Sequence, residues 1–132
     1  MNIKEKAIEI HESGFNCAQS VLCACGEYTG IDEKTALAIS AGFGGGMRCG
    51  EICGALSGAV LAMGAALPFN DADDAEAKVR IAALAKQSAA MFEDSFGCLR
   101  CAELKAAGKP CKELIAYGAE LAEQMIIGNK GE

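Results

Sequence analysis

Gly42-Phe43-Gly44-Gly45-Gly46-Met47-Arg48-Cys49-Gly50-Glu51-Ile52-Cys53-Gly54-Ala55-Leu56-Ser57-Gly58 runs a glycine-dense loop into the start of a helix, with two cysteines at its entrance. Clustered glycines let backbone approach backbone or ligand and can turn successive N–H groups toward one point. Downstream, no charged residue occurs between Ile52 and Asn70. A membrane span is a poor reading of that segment, which is short for a bilayer, ends at Pro68 and holds more Gly and Ala than Leu or Ile. A buried central helix fits better. Within it Gly50, Gly54, Gly58 and Ala62 recur every fourth residue, a ridge of minimal side chains along which a neighbouring helix can lie close.

Outward from this core, the flanking sequence reads as helices. Ile3, Ala7, Ile10, His11 and Gly14 form an amphipathic stripe behind a capping Asn2. Asn16 caps a second helix from Cys17 to about Tyr28, and Asp32 a third from Glu33 to about Ala41. Beyond Pro68, Asp71, Asp73, Asp74 and Glu76 place negative charge at the start of a long helix ending at Phe96, with Ile81, Leu84, Ser88 and Met91 or Phe92 inward. Gly97 is its C-cap, and a short helical turn opens at Cys98-Leu99-Arg100-Cys101 and ends at Gly108. Pro110 starts a last helix whose stripe of Cys111, Leu114, Ile115, Gly118, Leu121, Ala122 and Met125 turns Cys111 to the core, with a frayed tail after Ile127. No segment alternates as a strand should. The expected fold is all-α: a compact single-domain bundle, residues 1–132, of five to six helices around a central Gly/Ala-rich helix.

The totals narrow the function. With 132 residues, 52% of them hydrophobic, 23% charged and none Trp, the chain can bury a core of small side chains. A net charge of −6 argues against a nucleic-acid or anionic-membrane partner. The charged start Met1-Asn2-Ile3-Lys4-Glu5-Lys6 lacks the apolar run of a secretory signal, so the cytoplasm is the expected compartment. There, eight cysteines point to metal binding, redox chemistry or burial rather than to stable disulfides.

Their positions are the informative pattern. Cys17, Cys53, Cys111 and the Cys98/Cys101 pair each fall in or near the opening turn of an expected helix. Unpaired N–H groups and the helix dipole there favour the thiolate, which is both nucleophile and metal ligand. Cys98-x-x-Cys101 stands without a second such pair, and no βαβ pattern supports a thioredoxin-like fold. His11, on an apolar stripe, is read as structural rather than as half of a Cys–His dyad. Nucleotide binding is disfavoured, because no Gly-Lys-Ser/Thr follows the glycine loop and no strand precedes it.

The sequence resembles the redox-active protein family named for its C_GCAxxG_C_C cysteine pattern. The resemblance runs through Gly14-Phe15-Asn16-Cys17-Ala18-Gln19, the glycine loop with Cys53-Gly54-Ala55-Leu56-Ser57-Gly58, Cys101-Ala102-Glu103-Leu104, and Cys111. The central motif reads Cys-Gly-Ala-x-x-Gly, with the first two letters of the family pattern exchanged, and Cys53 is taken as the equivalent. The resemblance implies a small helical protein that is redox-active through cysteines, with no settled substrate. It also marks Cys23, Cys25, Cys49 and Cys98 as additional.

Both readings converge on Cys17, Cys53, Cys101 and Cys111. The expectation is a redox protein in which these four thiolates meet, either as ligands of a zinc ion or iron–sulfur cluster or as a cycling dithiol/disulfide. Gly44, Gly45, Gly46 and Gly50 would donate N–H groups to sulfur and tune the centre. The competing expectations are a helical module that binds a small ligand or partner without turnover, and a structural oligomer with buried cysteines. The small-residue ridge makes a homodimer reasonable, and the redox partner is unspecified.

Overall fold

The computed structural model describes residues 1–130. Among them are eight α-helices: α1 (Ile3–Glu12), α2 (Cys17–Ala24), α3 (Gly26–Thr29), α4 (Glu33–Ser40), α5 (Gly54–Ala66), α6 (Ala75–Phe96), α7 (Cys101–Ala106) and α8 (Cys111–Asn129). The all-α expectation holds, but five to six helices is too few. The expected Cys17–Tyr28 helix breaks at Cys25, where the ladder slips to an i−3 bond, Cys25 N–H to the Leu22 carbonyl at 3.1 Å, and Gly26 begins a new turn. The other end of the chain is more regular than expected, since α8 continues past Ile127 to Asn129. The only β feature among the described residues is an isolated antiparallel bridge between Ile52 and Arg100.

The helix α5 is central, packing most extensively on α2 and α8 and further on α6 and α3. Its small residues set those distances. A Cβ at Gly58 would stand 2.7 Å from the Ala18 carbonyl oxygen of α2, and one at Gly118 of α8 would stand 2.7 Å from the Ala55 carbonyl oxygen of α5. Both are closer than a side chain can come, so the helices touch backbone to backbone. Gly50, by contrast, is off this ridge, because α5 starts only at Gly54 and Gly50 belongs to the preceding turn with φ +77°.

Around α5 the core collects Val21 and Leu22 from α2 and Cys25 just after it, Leu84 and Phe92 from α6, Leu104 from α7, and Ile115, Ala119, Ala122 and Ile126 from α8. An aromatic cluster fastens α6 to α8: Tyr117 meets Phe92 and Phe96 edge-on, with ring centroids 5.8 and 5.2 Å away. Helices α1 and α8 run antiparallel, as the ion pairs Lys4–Glu120 (3.5 Å) and Glu12–Lys112 (2.7 Å) at opposite ends require. No helix among the described residues is long and apolar enough to cross a membrane.

The central helix is not covered all round. One side of it, with Leu56, Val60, Leu61 and Gly64, floors an apolar groove of about 840 Å³ walled by residues such as Ile39, Phe43 and Ile81. Gly58 and Gly64 should therefore respond oppositely to substitution. Gly58→Val drives a side chain into the α2 backbone and should lower stability to denaturant by about 2 kcal/mol or more. Gly64→Ala, at a helical site with nothing within 4 Å, should be neutral or stabilising by up to ~1 kcal/mol. Equal effects at the two positions would contradict the packing described.

Candidate functional site

The site is built from the starts of α2 and α5. Asn16 caps α2 in a reciprocal box with Gln19: the Gln19 N–H donates to Asn16 Oδ1, and the Asn16 N–H donates to Gln19 Oε1, both at 3.0 Å. The same two side chains reach outward. Asn16 Nδ2 donates to the Ala41 carbonyl and Gln19 Nε2 to the Leu37 carbonyl, each at 3.0 Å. The Asn-Cys-Ala-Gln segment thus fixes the first turn of α2, with Cys17 at its first helical position, against α4 and the glycine loop.

The loop then folds over that turn. Ala41–Phe43 is a short 3-10 turn, and Gly44 lies so close to the Asn16 side chain that a Cβ there would collide with it. Gly45 takes φ +64°, in the left-handed region open to glycine, and its N–H helps to stabilise the Cys17 thiolate. Gly46–Gly50 forms a π-type turn, with Gly46 against the Glu51 backbone and Gly50 against Ala102. Residues 51–53 then pair with 99–101: the Cys53 N–H donates to the Leu99 carbonyl at 2.9 Å and the Cys101 N–H to the Glu51 carbonyl at 2.6 Å. Arg100 also pairs with Glu51 at 3.2 Å. This short pairing brings Cys53 to the N-cap of α5, over α2.

The Cys17 sulfur lies against Gly54, the residue after Cys53, and each of the two thiols is the largest single influence on the other's ionisation. The surroundings favour the negative charge on Cys17 and the proton on Cys53. The Cys53 S–H is the main group stabilising the Cys17 thiolate; the N–H groups of Gly45, Ala18 and Cys17 itself assist, and together they outweigh burial and draw the Cys17 pKa down to about 6. Cys53 moves the other way. The Cys17 sulfur and its own burial hold it protonated, against the weaker pull of the Ala55 and Leu56 amides. Cys53 is 2% exposed, whereas Cys17 is only partly buried. The arrangement is a reachable thiolate with a protonated thiol behind it.

Gly54 makes the contact sterically possible. A Cβ on it would run into the Cys17 sulfur and stand 3.0 Å from the Phe43 carbonyl oxygen and 3.2 Å from the Ala18 nitrogen. The role of glycine in the Cys-Gly-Ala motif is to leave room for the partner thiol.

The remaining cysteines lie elsewhere. Cys101 opens α7 and lines a separate cleft of about 380 Å³ together with Cys49, Arg48 and Lys105. Cys111 is exposed, contrary to the expectation that it faces the core: the first inward residue of α8 is Leu114, and the turn before it lies at the surface where Lys112 meets Glu12. Cys98 precedes α7 and lies outside any helix rather than in a helical turn. Cys25 is buried, which pushes its pKa up to about 12, and burial with the nearby Glu33 charge raises that of Cys23. His11 is spent on structure, its Nδ1 lying 2.8 Å from the Phe15 carbonyl oxygen.

Among the described residues no three His, Cys, Asp or Glu side chains are grouped to hold a metal ion. Cys17 and Cys53 alone make half a tetrahedral thiolate site. The four thiolates that a zinc ion or iron–sulfur cluster would need are not grouped among the described residues. The sequence reasoning had no access to the Cys49 cleft or the apolar groove, both of which depend on how the loop folds.

Gly54→Ala should displace the Cys17 sulfur and move it away from Cys53. Alkylation of Cys17, followed by peptide mass mapping as a function of pH, should show its midpoint rising from near 6 by one unit or more. An unchanged midpoint would mean that the glycine has no part in setting the thiolate.

No curated protein and no solved structure matches the chain. A family model does, that described as "Putative redox-active protein (C_GCAxxG_C_C)", over residues 15–125, from the start of the α2 cap into the last turns of α8. That span is well over half of the chain and contains Cys17, Cys53, Cys101 and Cys111, and on it the protein belongs to the C_GCAxxG_C_C redox-active protein family.

Proposed function

We propose that the protein is a dithiol/disulfide redox protein whose working pair is Cys17 and Cys53, acting on disulfide-bearing partners in the cytoplasm. The observation that carries this reading is the seating of the Cys17 sulfur against Gly54, the residue after Cys53, where the Cys53 thiol is the main influence drawing the Cys17 pKa down to about 6. At neutral pH a thiol of that pKa is about nine-tenths thiolate, and its pKa lies near the optimum for an attacking group.

The reaction balances with these two residues alone. The Cys17 thiolate attacks one sulfur of a partner disulfide R–S–S–R′, forming a Cys17–S–S–R bond and releasing R′–S⁻. Loss of the Cys17 charge removes the main influence holding the Cys53 proton, and that proton leaves for the released thiolate. The Ala55 and Leu56 amides then favour a thiolate on Cys53, which attacks the Cys17 sulfur and expels R–S⁻. Two electrons pass to the partner, and the protein is left with a Cys17–Cys53 disulfide.

A binding module without turnover is the second reading, and the apolar groove favours it. Its walls include one polar side chain, Ser57, so it suits an uncharged ligand. The groove shares Phe43 and Met47 with the loop that covers Cys17, and it is compatible with an apolar partner docking beside the thiol pair.

Treatment of the reduced protein with a small neutral disulfide, followed by non-reducing peptide mapping, separates the readings. A Cys17–Cys53 linkage should form in wild type, and Cys53→Ser should accumulate the mixed disulfide on Cys17. If Cys17 stays a free thiol under conditions that oxidise exposed Cys111, the inner pair is not the redox centre and the binding module stands.

A further inference from the structure

The second cleft has a chemistry of its own. It is about 380 Å³ in volume and lined by Gly45, Arg48, Cys49, Gly50, Cys101, Ala102 and Lys105, two thiols and two cations on a protein of net charge −6. Among the described residues neither Arg48 nor Lys105 pairs with a carboxylate; the ion pairs use Lys4, Lys6, Arg100 and Lys112 instead. Both thiols line the cleft where the chain crosses itself: Gly50 lies against Ala102, with a Cβ there only 3.0 Å from that of Ala102, and each cysteine is the residue just before. Cys49 is exposed and Cys101 partly so, both open to a solute.

The backbone is held out of its ordinary range to make this cleft. Met47 and Arg48 both sit at φ +61°, the left-handed region that non-glycine residues rarely adopt. Arg48 is tied in place through its Nη2, which donates to the Ala41 carbonyl at 3.4 Å, and the Cys49 S–H lies 3.6 Å from the Gly46 carbonyl. The strained turn sets Arg48 and Cys49 on the cleft wall opposite Cys101 and Lys105.

We propose that this cleft is a second dithiol site, which takes an anionic low-molecular-weight disulfide, its carboxylates held by Arg48 and Lys105. The exchange uses Cys101 and Cys49 alone. The Cys101 thiolate attacks one sulfur of the ligand R–S–S–R, forming Cys101–S–S–R and releasing R–S⁻. The Cys49 thiolate then attacks the Cys101 sulfur and releases the second R–S⁻, leaving a Cys49–Cys101 disulfide. The protein dithiol loses two electrons, the ligand disulfide gains them, and the two thiol protons end on the released thiolates. The site stands apart from the Cys17–Cys53 reading, and either can fail without the other.

The test compares two disulfides of opposite charge, anionic glutathione disulfide and cationic cystamine, on the full chain at low salt, with the product read by non-reducing peptide mapping. Glutathione disulfide should oxidise Cys49 and Cys101 to a linked pair at least about tenfold faster than cystamine, and added salt should erode the preference. Arg48→Gln with Lys105→Gln should abolish it, leaving the circular dichroism spectrum unchanged. Cys49→Ser should trap glutathione on Cys101. Equal or faster reaction with cystamine, no Cys49–Cys101 linkage, or an undiminished preference in the double glutamine variant would each overturn the proposal. Oxidation of Cys17 and Cys53 is read on separate peptides, so failure here is distinguishable from failure of the inner pair.

Discussion

The close approach of α2 to α5 is the constraint on which the rest depends. Ala18 lies against Gly54 and Gly58, and that proximity alone sets the sulfur at the start of α2 against the start of α5, where Cys53 is the N-cap. Two helix N-termini then point at the same pair. Either would favour a thiolate, but two adjacent thiolates repel, so the pair keeps one proton. The geometry resolves the competition by surrounding Cys17 with three backbone amides and the Cys53 S–H.

The glycine loop belongs to the same construction. It supplies one amide, that of Gly45, to the Cys17 sulfur and closes over the first turn of α2, where Asn16 and Gln19 tie it to Ala41 and Leu37. Its far side forms the cleft with Cys49 and Cys101, and Phe43 and Met47 border the apolar groove. One loop therefore borders three distinct environments: a buried thiol pair, a basic cleft and an apolar groove. Strain at Met47 and Arg48 is the cost of bending one short segment to face all three.

Much of this was legible in the sequence because it rests on local signals. Asn2, Asn16 and Asp32 as caps, Gly97 as a left-handed terminator, and an uncharged Gly/Ala segment as the central helix all follow from short-range chemistry, and the structure agrees with each. Pairing of Cys17 with Cys53 was half legible, through helix starts and the family pattern. What stayed hidden depends on tertiary path. Cys111 has the right spacing for the inner stripe of α8, yet the chain leaves the core before that turn is covered. Gly50 continues the four-residue period of Gly54 and Gly58, but the loop turns at Glu51 and takes it out of the helix. No periodicity reveals that Arg48 and Lys105, 57 positions apart by number, meet across a cleft.

The central claim is that Cys17 carries the charge and Cys53 the proton at neutral pH. The most direct measurement is a titration of the reduced protein labelled with ¹³C at cysteine Cβ, following each resonance by NMR with Cys17→Ser and Cys53→Ser for assignment. The account predicts that the Cys17 signal titrates near pH 6 while that of Cys53 stays in its thiol position well above pH 9. Two ordinary midpoints between about 8 and 9, or an inverted order with Cys53 ionising first, would contradict it.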